Sequence, residues 1–127
     1  MLSWRNPTAR HAEWNLDTYV HAVLEAFDIV REVTQSPTAA LLGTCSGGII
    51  SSMAAAHLSS VGRGDELAAL TLLVTVLDQA GAGTTNALLD RRRADAASAM
   101  SRRKGYLDGS VLAEVFAWLR PNDLIWN

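Results

Sequence analysis

The stretch Leu41-Leu42-Gly43-Thr44-Cys45-Ser46-Gly47-Gly48-Ile49-Ile50 constrains this chain more than any other. An apolar run stops at a glycine, turns through the only cysteine and continues at a pair of glycines. This G-x-C-x-G pattern is the thiol version of the G-x-S-x-G turn, in which a nucleophile sits between a strand and a helix. The turn strains its backbone, so the residues two before and two after must be small, and Gly43 and Gly47 meet that demand. A helix starting there aims its first N–H groups at the sulfur, favouring a thiolate and offering a donor to a developing oxyanion. Alone the motif leaves a second reading open, because an isolated cysteine also serves as a small buried hydrophobe.

The context supplies a strand before and a helix after. From Asn15 or Asp17, Leu16, Val20, Val23, Leu24, Phe27 and Val30 recur at helical spacing up to about Thr34. Thr38 to Thr44 then carries almost no polar side chain, as expected of a central parallel strand covered on both faces. Gly47 to about Ser60 reads as a helix made narrow by Ala54, Ala55 and Ala56. The β-branched Thr71, Val74, Thr75 and Val76 favour a strand over 67–77. Leu2-Ser3-Trp4 reads as the end of an earlier strand, stopped at Arg5-Asn6-Pro7, with further sequence expected upstream. Alternating strands and helices predict an open α/β sheet.

Beyond Leu77 the pattern changes. Residues 78–85 read as loop, Ala87 to about Lys104 as a helix, and Val111 to Leu119 as another stopped by Pro121. Arg91, Arg92, Arg93, Arg102, Arg103 and Lys104 hold six of the 11 basic residues. With acidic residues interleaved and a net charge of -2, they read as a solvated face, not a nucleic-acid site.

An apolar share of 49% in 127 residues supports one ordinary core. A single cysteine forms no internal disulfide, which fits a reducing compartment. No signal segment opens the chain and no run is long enough to span a bilayer, so a soluble, cytoplasmic setting is expected.

Four separated segments resemble the polyhydroxyalkanoate synthases, in order and at similar spacing. They are Ser3 to Pro7, Gly43 to Gly48, Leu70 to Asp78, and Phe116-Ala117-Trp118-Leu119-Arg120-Pro121-Asn122-Asp123-Leu124-Ile125-Trp126-Asn127. The similarity is greatest to the short-chain, class I type. It implies a partial α/β-hydrolase fold over 1–77 and part of a helical cap over 78–127, the whole an internal fragment of a longer enzyme.

The resemblance also implies Cys45 as nucleophile and the Ser46 N–H as one oxyanion donor. No residue matches the second donor, and the triad Asp and His fall on strands past Asn127, so the chain alone is expected to be inactive. His57, on the same helix as Cys45, His21 and His11 read as ordinary surface histidines. Asp78 follows a strand but falls where the family's cap opens. Trp4, Trp14, Trp118 and Trp126 read as core and cap packing.

The activity implied is polymerisation of 3-hydroxyacyl coenzyme A through an acyl-thiol intermediate. It releases coenzyme A, a substrate component, and needs no cofactor or metal. A homodimer at the polyester granule surface is implied for the whole enzyme. Two alternatives stay open: a cysteine-dependent α/β hydrolase (a thioesterase or dienelactone-hydrolase-like enzyme) and a non-catalytic interaction module.

Overall fold

A computed structural model describes residues 1–78 and 91–119. The chain divides into two units, 1–2 with 14–88 and 3–13 with 89–127.

The first unit is a mixed α/β arrangement. Helix α1 spans Leu16–Thr34, strand β1 Ala39–Thr44, helix α2 Ser46–Ser60 and strand β2 Leu67–Leu73. Asn15 starts α1 because its Oδ1 accepts the Thr18 N–H at 3.0 Å, while Thr18 Oγ1 accepts the Asn15 N–H at 3.3 Å. Gln35 ends the helix in the left-handed region, and the Ser36 N–H donates to the Arg31 carbonyl at 3.1 Å.

The core lies where α1 crosses α2. Val20, Leu24 and Phe27 pack against Ile50, Ala54 and Leu58, with Ala39, Leu41 and Leu67 of the sheet beneath. The stripe on α1 is buried only at its centre, and Leu16 and Val30 at its ends are exposed. Ala54 and Leu58 have no exposed surface, so the alanine-rich helix does approach its neighbours closely.

β1 and β2 pair in parallel, with Gly43 opposite Leu72 and Thr44 opposite Leu73. Three strand expectations are corrected. β1 is not covered on both faces: burial alternates along it, and Leu42 is 62% exposed. β2 stops at Leu73, not Leu77, because Val74 turns the chain out of the ladder with φ 51°. Residues 2–4 form no strand.

An ion cluster fastens α1 to the entry of β2. Glu66 lies 2.5 Å from Arg31 and 2.6 Å from Arg63, and Arg63 also pairs with Asp28. The hydrogen bond from Arg63, aided by the charge of Arg31, outweighs desolvation and holds the Glu66 carboxyl below its ordinary range.

In the second unit α3 spans Arg91–Lys104 and α4 Gly109–Leu119. α3 ends at Gly105, where φ is 82° and a Cβ would lie 3.4 Å from both Ala9 Cα and Ala12 Cβ. Asp108 then caps α4, accepting from Ser110 N–H at 3.1 Å and Lys104 Nζ at 2.6 Å. Arg102, Arg103 and Lys104 are exposed. Most of the expected loop at 78–85, the first residues of the helix expected from Ala87, and Pro121 lie outside the described residues. Among the described residues, no helix is long and apolar enough to cross a membrane.

Candidate active site

Cys45 sits where β1 gives way to α2. Its backbone has φ 50° and ψ -125°, and its side chain is exposed. A non-glycine residue rarely adopts a positive φ, and the strain persists only where the surroundings hold it. Here the Cys45 N–H donates to the Leu73 carbonyl of β2 at 3.0 Å, and the Cys45 carbonyl accepts the Gly48 N–H at 3.0 Å. One bond ties the cysteine to the neighbouring strand, the other to the first turn of α2.

Ser46 is the first residue of α2, so its N–H has no acceptor within the helix and lies at the positive end of the helix dipole. An exposed sulfur beside such a donor can attack a carbonyl carbon, with the N–H available to the oxygen that gains charge.

The small-residue requirement falls differently from the sequence expectation. A Cβ on Gly43 would lie 2.5 Å from the Gly48 Cα and 2.8 Å from the Gly47 carbonyl oxygen, so no side chain fits. At Gly47 a Cβ would meet nothing within 4 Å. The second obligatory glycine is Gly48, where a Cβ would overlap the Thr75 side chain. The GG pair gave a signal for Gly48; Thr75, read as an ordinary strand residue, gave none.

The two singled-out histidines of this unit are not brought to the thiol. His57 lies twelve positions along α2, roughly 18 Å away at 1.5 Å per residue. It faces His21 instead, with ring centroids 6.4 Å apart. Asp78 is exposed five residues beyond β2. His11, in the second unit, accepts the Thr8 N–H at 3.0 Å. Trp4 and Trp14 are exposed at 41% and 37%, which corrects the expectation of core packing. Trp14 instead meets Tyr19 edge-on at 6.0 Å. Trp126 and the side chain of Trp118 lie outside what is described.

No family model matches the chain. Individual relatives do. Poly(3-hydroxyalkanoate) polymerase 1 of Ectopseudomonas oleovorans is 45% identical over all 127 residues, which cover 22% of that protein. Poly(3-hydroxyalkanoate) polymerase 2 of the same organism is 39% identical over 127 residues, 23% of its length. The polymerase subunit PhaC of Cupriavidus necator is 38% identical over 134 residues, again with 100% of this chain and 22% of the relative. The chain thus spans about a fifth of the length of the curated relatives it matches. Along its whole length, this chain is similar to a stretch of the poly(3-hydroxyalkanoate) polymerases.

Proposed function

We propose that Cys45 is the acyl-carrying nucleophile of an enzyme that polymerises 3-hydroxyacyl coenzyme A. The observation that carries this reading is the strained, exposed cysteine at the turn from β1 into α2. It lies in a chain similar throughout to polymers' synthases named for poly(3-hydroxyalkanoate). The β1–α2–β2 unit is read as the nucleophile-elbow portion of an α/β-hydrolase core, reaching to Leu77, and 78–127 as part of a helical cap.

In the first step the Cys45 sulfur attacks the thioester carbon. Charge gathers on the carbonyl oxygen beside the Ser46 N–H, the carbon–sulfur bond to coenzyme A breaks, and the departing thiolate takes a proton. Exchange of one thioester for another is nearly balanced, so the acyl-cysteine is reachable without becoming a trap. The hydroxyl of another unit then attacks that acyl group. An ester bond forms, the bond to Cys45 breaks, and the chain grows by one unit. A histidine must accept the proton of the attacking group, with an aspartate to orient it. By the resemblance to the polyhydroxyalkanoate synthases, both are assigned to protein outside these 127 residues. A cap over the thiol would exclude water, which would otherwise end the polymer by hydrolysis.

The same reading makes the whole enzyme a dimer at a polyester granule in the cytoplasm. The test is to supply the intact protein with 3-hydroxybutyryl coenzyme A and follow free thiol and products. Coenzyme A release with insoluble polyester, both lost in C45S, is the expected result. Release of free 3-hydroxy acid alone would identify a thiol hydrolase, and no turnover would favour an interaction module.

A further inference from the structure

The two strands end alike. Thr44 pairs with Leu73, and the next residue on each strand, Cys45 and Val74, has a φ near +50°: 50° and 51°. For a β-branched residue such a φ is an outlier that something must hold in place. The Val74 side chain is 86% exposed, so its own packing is not what holds it.

Thr75 follows the kink. Its Oγ1 lies 3.1 Å from the Leu73 carbonyl oxygen and 3.3 Å from that of Cys45. A hydroxyl has one proton to donate, so it is shared between two carbonyls, one from each strand end. The Leu73 carbonyl also receives the Cys45 N–H. On its other side Thr75 occupies the space a Gly48 side chain would need, its Cγ2 falling 2.7 Å from the Cβ position. Thr75 therefore touches the peptide group of Cys45 and the first turn of the helix that carries the Ser46 donor.

We infer that Thr75 is a positioning residue, a clamp whose hydroxyl holds the Cys45 carbonyl and so fixes the backbone that lifts the sulfur above the sheet. The inference rests on the proposed role of Cys45 and adds a determinant of its geometry. Thr75 acts through the nucleophile, so its hydroxyl governs the chemical step and not substrate binding.

The test compares T75V, which keeps the shape and removes the hydroxyl, with T75S, which keeps the hydroxyl. In the intact protein, T75V should lower kcat for coenzyme A release by about ten- to a hundredfold with KM little changed, the scale expected of a misplaced reacting group. T75S should stay near wild type, and iodoacetamide alkylation of Cys45 should follow the same order. Wild-type kcat and alkylation rate in T75V would overturn the clamp, as would T75S impaired as much as T75V. Should T75V fail to fold, T75S and T75A differ by the hydroxyl alone, and equal rates in that pair overturn it. A wild type that releases no coenzyme A, with alkylation still slowed in T75V, refutes the polymerase reading and supports the clamp.

Discussion

Gly43 and Gly48 meet backbone to backbone: a Cβ on Gly43 would lie 2.5 Å from the Cα of Gly48. Neither chain can yield without moving the end of β1 or the first turn of α2. G43A should therefore destabilise the 127-residue chain by about 1–3 kcal/mol or more, as overpacking does. G47A has open space around its Cβ and replaces a helical glycine, so it should stabilise by about 0.4–1 kcal/mol. Urea unfolding followed by circular dichroism separates the two. Equal losses from both would refute the geometry of the turn.

Leu58 is fully buried between α1 and α2, whereas Leu42 on the bare face of the sheet is 62% exposed. L58A should cost about 2–5 kcal/mol, the range for a truncated core leucine. L42A should change stability by under about 0.5 kcal/mol. Chemical denaturation of the 127-residue chain checks both, and similar losses would contradict the one-sided core.

The carboxyl of Asp108 is pulled from its ordinary 3.8 to about 2, first by the hydrogen bond from Lys104 and then by those from the Ser110 N–H and hydroxyl. The unfolded chain binds this proton more readily than the folded one, so stability rises with pH across the interval. The contribution is complete above about pH 4 and disappears as pH falls toward about 2. Helicity measured by circular dichroism should fall across that window, and the part due to Asp108 should be missing in D108N. Identical acid profiles would count against this cap.

Leu42, Leu73, Val74 and Leu77 are all at least 46% exposed. Apolar surface beside an unpaired strand edge invites association. The isolated 127-residue chain should bind a hydrophobic dye and elute above monomer mass in size-exclusion chromatography, increasingly so at higher concentration. A concentration-independent monomer that binds no dye would contradict this.

Much of the first unit was legible because its signals are local. The Asn15 cap, the stripe through Val20, Leu24 and Phe27, and the glycines around Cys45 each act within a turn or two of themselves. What escaped reading depends on contacts distant in sequence. Gly48 is tight because Thr75 arrives from beyond β2, 27 residues on. Nothing in Leu72-Leu73-Val74-Thr75 marks a kink, since valine favours the strand it leaves. Residues 2–4 have strand-like side chains, but a strand forms only where it pairs into a ladder, and no strand is formed over 2–4. For Trp4 and Trp14, large apolar area argued for burial, although a tryptophan is seldom fully enclosed.

The most direct measurement is the mass of the Cys45 peptide after the intact protein has been mixed with 3-hydroxybutyryl coenzyme A and quenched in acid. The peptide should gain the mass of one or more 3-hydroxybutyryl units, with no equivalent adduct elsewhere and none in C45S. Turnover with an unmodified Cys45, or an adduct that persists in C45S, would contradict a role for this sulfur as the acyl carrier.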